Sequence, residues 1–247
     1  MKKTILLMPT LNEKIGLTHV YPEIPQTLFD RIVVLDGNST DGTQEWCQEN
    51  NVEIFLQTEP GLRGGLAEFI STLDDSVDYV LTFSPDGNCD PSTLKDFIET
   101  LNKNPNARLV MGSRYGGGAT SADDDFITGI GNWTFTKLSN LFFKSNFTDV
   151  FSIYRAFDPK LIKELGLNES DSYSRLEKLF STRIPWEPLM SFRVAKQNLA
   201  WVDVPVGEPP RIGGERKLQV FRWGISFLLQ LIRELWYTPN SLKKKNS

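Results

Sequence analysis

The chain has 247 residues, 40% of them hydrophobic and 23% charged, which suits one large α/β domain or two small ones around a buried core. A net charge of −4 argues against a general nucleic-acid binder, which is usually basic. Two cysteines, Cys47 and Cys89, and one histidine, His19, exclude a Cys/His zinc site, argue against a disulfide framework and fit a reducing cytosol.

MKKTILLMPTLNE imitates a signal peptide, but its apolar run stops at Pro9 and no small-residue cleavage site follows, so 4–8 reads as a first strand. RIVVLD (31–36), VEIFLQ (52–57), YVLTF (79–83) and ARLVMG (107–112) are further strands. DGTQEWCQEN, GLRGGLAEFISTLDD and PSTLKDFIETLNK between them read as helices, the last opened by Pro91 and Ser92. This alternation predicts a mostly parallel, Rossmann-like sheet with helices on both faces, whose ligands bind beyond the carboxyl ends of the strands. After residue 113 a Gly-rich and then acidic loop precedes an expected long helix, FITGIGNWTFTKLSNLFF. FSIYRAF and LAWVDVPV (199–206) are late strands, and apolar residues recur at helical spacing from Lys217 to Trp236. The expected division is one domain over 1–216, followed by an amphipathic helix and basic tail over 217–247. No segment reaches the roughly 18 apolar residues that span a bilayer.

Three strand ends carry candidate chemistry. PTLNE (9–13) fits an ordinary strand exit, or a nucleotide cradle with Pro9 beside the base and Glu13 at the ribose. In VLDGNSTDGT (34–43), Asp41 reads as a helix N-cap, whereas Asp36 stands at the strand tip where the ligand crevice should be. In FSPDGNCDP (83–91), Asp86, Asn88 and Asp90 mimic the start of a calcium loop, but Pro91 replaces the required Gly and Phe97 the bidentate Glu. Any ion here is a hard cation held by oxygens, Mg²⁺ or Mn²⁺ before zinc.

Together these stretches resemble the family 2 glycosyltransferases of GT-A fold. VLDGNSTDGT is similar to the family's V-D-D-G-S-T-D-G-T, RLVMGSRY to its strand followed by G-[ST]-R-[YF], and TDVFSIYRAF to T-D-x-x-S-x-x-[FY]-R. PPRIGGERKL resembles the D-R-x-x-G-E-S-K-L segment of the dolichyl-phosphate mannose synthase-like branch, which is nearest in pattern. The match runs from residue 4 to about 218.

The resemblance implies an inverting transfer from a nucleotide-diphosphate sugar, assisted by Mg²⁺ or Mn²⁺, to a membrane-associated lipid or a surface saccharide. By position, Pro9, Glu13 and Asp36 would bind the nucleoside, Asp86 and Asn88 the metal, and Arg114, Arg211 and Lys217 the diphosphate. Ser84 replaces the first acid of the family's D-x-D motif, which implies weaker metal binding. Asp149 would act as general base, or, if the acceptor is an anionic lipid phosphate, position it or structure the site. Family members with such an acceptor tend to carry a basic residue in the helix that follows the acidic run Asp123–Asp125, and residues 126–136 have none. The C-terminal helix could meet a membrane, a second copy or this domain's own core. The implied location is cytoplasmic, with peripheral contact at the inner face of the membrane. Two rival enzymes lack their signatures: a nucleotidylyltransferase its Gly-rich basic loop after strand one, a nicotinamide enzyme its G-x-G-x-x-G. A degenerate sugar-nucleotide-binding scaffold, suggested by Ser84, is the non-catalytic alternative.

Overall fold

The computed structural model describes residues 2–122, 126–212 and 220–245. The first apolar runs form β1 (Thr4–Thr10), β2 (Arg31–Asp36), β3 (Glu53–Leu56) and β4 (Tyr79–Thr82). They are followed by β5 (Leu109–Ser113), β6 (Arg155–Phe157) and β7 (Trp201–Pro205). All seven join one sheet in the order β3-β2-β1-β4-β6-β5-β7. Only β6 runs against its neighbours; every other pairing is parallel. The expected mostly parallel α/β sheet is therefore present. Side chains alternate between its faces. Ile5, Leu7, Val33 and Leu35 enter one buried cluster, while Leu6, Met8 and Val34 enter the other. Because both faces are covered, the strands are apolar throughout rather than alternating.

Helices α1 (Lys14–Val20), α2 (Thr43–Glu49), α3 (Gly61–Ser71) and α4 (Leu94–Lys103) follow β1 to β4 in turn. A 3₁₀ turn, Pro91–Thr93, precedes α4, and the Asp90 carboxylate accepts from the Ser92 backbone at 2.8 Å to cap it. The long helix α5 (Phe126–Phe143) lies where its pattern predicts. Three further helices, α6 (Leu161–Glu164), α7 (Ser174–Phe180) and α8 (Trp186–Lys196), had no expectation attached. In α8 every residue from Trp186 to Ala195 is buried, Glu187, Ser191 and Arg193 included, so no polar stripe marks the helix in the sequence. The chain closes with α9 (Val220–Glu234) and α10 (Asn240–Lys245). Leu231 of α9 is part of the same core as Leu189 and Met190 of α8. Arg193 and Glu234, both buried, join these two helices through paired hydrogen bonds of 2.9 and 2.8 Å.

The reversed strand matters for position. It runs antiparallel between β4 and β5, so the loop entering it lies beside the loops leaving them. Residues 149–154, 84–88 and 113–116 thereby meet at one end of the sheet. The segment leaving β7, which runs parallel to β5, reaches the same end.

Candidate active site

The loops after β1 and β2 are stitched together. Asn12 adopts the left-handed conformation that asparagine tolerates (φ 59°). Its backbone N–H donates to the Ser39 hydroxyl at 2.8 Å, and its side-chain oxygen accepts from the Thr40 backbone at 2.8 Å. The N-cap of α2 is Gly42, so Asp41 stands one residue before the expected cap position. Its carboxylate accepts from the Thr43 backbone at 3.0 Å and from the Lys14 backbone, the first residue of α1, at 3.0 Å. Burial raises its pKa, but these hydrogen bonds outweigh that and hold it below the usual carboxylate value. Asp36 is fully buried at the tip of β2. One of its oxygens accepts from the Ser39 backbone at 3.0 Å and the Gln44 amide at 2.8 Å, and the other, Oδ1, is buried without a partner. Pro9 pairs in register with Leu35 inside the sheet, and the Glu13 carbonyl accepts from Leu17 to start α1.

The loop after β4 is fixed by close packing. A Cβ on Gly16 of α1 would lie 2.2 Å from the Pro85 carbonyl oxygen, so only glycine lets α1 rest on this turn. Gly87 is left-handed (φ 88°), which favours glycine, and packs on Ile212. Within the turn, Asp86 is buried; its Oδ1 accepts from the Asn88 backbone at 3.3 Å and its Oδ2 meets Arg211 Nη1 at 2.7 Å. The Ile212 N–H donates to the Asp86 carbonyl at 2.9 Å, so the segment after β7 is strapped across this turn. The Asn88 side-chain oxygen is buried and has no partner. Among the described residues no three Asp, Glu, Cys or His side chains converge as metal ligands. One carboxylate and one unpartnered amide oxygen nevertheless fit a hard divalent cation whose remaining ligands are phosphate oxygens and water.

The loop after β5 carries Arg114. Its Nε and Nη2 donate to Asp149 at 2.6 and 3.0 Å, a two-pronged pair, and its Nη1 lies 3.5 Å from Glu208. Burial disfavours the charge on Arg114, but the two carboxylates outweigh it and hold its pKa well above the ordinary value. Asp149 is fully buried; burial raises its pKa, and Arg114 outweighs that and lowers it. Asn132 of α5 reaches Asp149 Oδ1 at 3.4 Å and the Tyr115 hydroxyl at 3.3 Å. These contacts occupy Asp149 as a fixed counter-ion. A lowered pKa weakens this carboxylate as a proton acceptor.

A cavity of about 180 Å³ opens between these loops, lined by Asn88, Arg114, Tyr154, Glu208 and Arg211 among others. The structure thus brings Asn88, Arg114 and Arg211 to one space, with Asp86 behind Arg211 and Asp149 behind Arg114. Pro9 and Asp36 lie at the ends of β1 and β2, and Glu13 in the loop after β1, rather than on its walls. Lys217, Arg216, the Gly213–Gly214 pair and the acidic run at Asp123–Asp125 lie outside the described residues. Sequence reasoning missed Glu208 and Asn132. Glu208 stands three residues beyond β7, just before the PPRIGGERKL stretch and outside its pattern, and Asn132 is one of several polar residues in a largely apolar helix.

A parallel sheet with one reversed strand and a crevice of carboxylates and guanidiniums at the strand ends is the architecture of a GT-A glycosyltransferase. Solved glucosyl-3-phosphoglycerate synthase from Mycobacterium tuberculosis, in complex with Mn²⁺, UDP and phosphoglyceric acid, shares this fold, with a TM-score of 0.64 and 19% identity over 97% of this chain and 80% of that one. The chain belongs to Glycosyl transferase family 2, whose model matches residues 6–166. It is similar to an undecaprenyl-phosphate mannosyltransferase of Micrococcus luteus, 24% identical over 91% of this chain and 95% of that protein. It is also similar to glycosyltransferase AglJ of Haloferax volcanii, 25% identical over 92% of this chain and 70% of that protein. These relatives agree with the branch indicated by the motifs.

Proposed function

We propose that this family 2 glycosyltransferase transfers a sugar, with inversion, from a nucleotide diphosphate to a membrane-associated acceptor. The observation that carries this reading is the pairing of Asp86 and the unpartnered Asn88 oxygen with Arg114 and Arg211 around one cavity. Asp36, with an open oxygen at the β2 tip, and the Pro9–Glu13 loop would hold the nucleoside. Asp86 and Asn88 would hold Mg²⁺ or Mn²⁺, which supplies Lewis-acid neutralisation of the departing diphosphate. Arg211, now on Asp86, would turn its guanidinium to the phosphates when that carboxylate is otherwise occupied. Arg114, fixed by Asp149 and Glu208, presents a preorganised positive edge to the same space.

The engagement of Asp149 bears on the acceptor. An alcohol needs a base, and this carboxylate is a poor one; a phosphate is already anionic and needs none. This favours a lipid phosphate over a saccharide hydroxyl. The similarity to the undecaprenyl-phosphate mannosyltransferase of Micrococcus luteus supports the same class. The absence of a basic residue from 126–136 opposes it, so a saccharide acceptor is the second reading. The implied site of action is the inner face of the membrane.

Thermal unfolding with UDP-, GDP-, CDP- and dTDP-sugars, each with and without Mn²⁺, tests the donor. At a donor concentration of about 100 Kd, the matching sugar nucleotide should raise the Tm by roughly 5–10 °C, and more with Mn²⁺ than without. A flat response across all eight conditions would overturn the assignment. A shift without any metal-dependent hydrolysis or transfer would leave a sugar-nucleotide-binding scaffold instead.

A further inference from the structure

Two neighbouring helices bury polar residues beside their apolar core contacts and expose apolar ones. In α5, Asn132, Thr136 and Ser139 are buried, while Ile130, Trp133 and Leu141 are exposed. In α9, Ser226, Gln230 and Glu234 are buried, while Ile225, Leu228 and Leu229 are exposed. The inward residues are bonded. Asn132 reaches Asp149, Glu234 pairs with Arg193, and the Gln230 amide donates to Glu234 at 3.0 Å and to the Ser172 carbonyl at 3.1 Å. Buried polar groups of this kind must be satisfied, and here they are satisfied largely from inside the fold. The outward residues reach large exposures: Trp133 62%, Leu141 71%, Ile225 55%, and Trp236, just past α9, 77%. The ring contacts Phe135–Phe151 and Phe151–Phe227, both 5.6 Å between centroids, tie the two helices together. A surface helix in water has the opposite arrangement. Contiguous apolar surface of this kind marks a contact site.

Charge identifies what meets it. Residues 126–145 and 220–245 contain seven Lys or Arg in sequence and a single acid, Glu234, which is buried and paired; Lys137, Lys144 and Lys243 are exposed, while Arg233 turns to the Ser172 and Asp171 carbonyls. The rest of the chain has twenty basic and thirty acidic residues. Lys137, exposed, falls on the same helical stripe as Ile130, Trp133 and Leu141, and Lys144, also exposed, follows directly after the helix. A second copy placed symmetrically on this face would bring Lys137 and Lys144 against like charge. An anionic bilayer complements both features: apolar side chains enter the headgroup boundary and lysines reach back to the lipid charges.

We propose that the outer faces of α5 and α9 dock this enzyme on an anionic lipid surface. α5 then lies between bilayer and site, since its inner side carries Asn132 to the Asp149–Arg114 pair. The proposal rests on the exposed apolar residues of these helices and their charge and does not depend on the donor site.

Vesicle flotation of the full chain tests it, with phosphatidylcholine alone and with roughly one-third phosphatidylglycerol. Partition should be at least about tenfold stronger on the anionic vesicles and should fall sharply in 1 M salt, where the Debye length is about 3 Å. A Trp133→Asp/Ile225→Asp double variant should abolish binding, and Lys137→Glu/Lys144→Glu should weaken it severalfold. Leu56→Asp, at an exposed apolar position on the β3 edge, should bind like the parent. All variants should keep the parent's donor-dependent thermal shift, which separates failure here from failure of the donor assignment. Equal partition on neutral vesicles, or undiminished binding by the double variant, would overturn the proposal. So would a concentration-dependent dimer that the double variant dissolves without any vesicle binding, because a second copy would then be the occupant.

Discussion

Asp86 and Asp149 are both buried carboxylates at the same end of the sheet, each facing an arginine, yet they are built for different tasks. Asp149 is gripped on two prongs by Arg114, a guanidinium itself shared with Glu208, and receives Asn132 as well. Asp86 meets Arg211 Nη1 at 2.7 Å on a strap that crosses the turn, and its neighbour Asn88 keeps an open oxygen. Arg114 is mostly buried, whereas the Arg211 side chain is 30% exposed. A carboxylate in a closed network holds a structure in place; one neutralised by an exchangeable partner is free to change partners. The two residues should therefore fail in different ways when substituted.

The larger expected effect is at Asp149. Asp149→Asn keeps the shape but leaves the Arg114 charge with only Glu208, and breaking a buried pair costs about 3–5 kcal/mol. Urea unfolding at neutral pH should show this loss. The pH dependence has a definite sign. The Asp149 pKa is lower folded than unfolded, so its stabilisation is complete above the ordinary carboxylate value of about 3.9 and fades as pH falls through the folded value. The variant should lose that part of the acid limb. At Asp86 the loss should fall on chemistry instead. Asp86→Ala should lower metal-dependent transfer or donor hydrolysis by about 10²–10³-fold while the thermal transition remains cooperative. If Asp149→Asn were as stable as the parent and merely slow, the division between the two carboxylates would collapse.

Much of this was legible beforehand, for identifiable reasons. β1, β2 and β4 are short runs of branched and apolar residues ending in turn-formers, and strand ends in such a sheet are where ligands bind. Asp36 and Asp86 stood out on that ground alone. The Arg114–Asp149 pair did not, because 35 residues separate its members and only the reversal of β6 between β4 and β5 brings them together. Asp41 read as a cap of one helix, since its bond to the Lys14 backbone is invisible until two loops are juxtaposed. α8 had no signal because it is buried on all sides, and its Arg193 is satisfied inside by Glu234 and by the Leu165 carbonyl at 2.7 Å. In each case the information is carried by tertiary partners rather than by local pattern.

The smallest expected effect is also the sharpest test of the Asp86 side. Ser84 stands where the family motif has its first acid, and Pro85 after it holds Ser84 in an extended conformation. In an extended segment residues two apart face the same way, but the turn begins at Pro85, so a carboxylate at 84 reaches the ion only if the turn preserves that alignment. Ser84→Asp should then act with opposite signs in two conditions. Without metal, a second carboxylate near Asp86 adds like-charge repulsion and should lower the Tm slightly. With Mn²⁺ present, the added ligand should raise metal affinity severalfold, about 1 kcal/mol, and the Mn²⁺-induced shift should exceed the parent's. A variant that loses stability equally with and without Mn²⁺ would show that residue 84 faces away from the ion, leaving Asp86, Asn88 and the donor's own phosphates as its whole coordination.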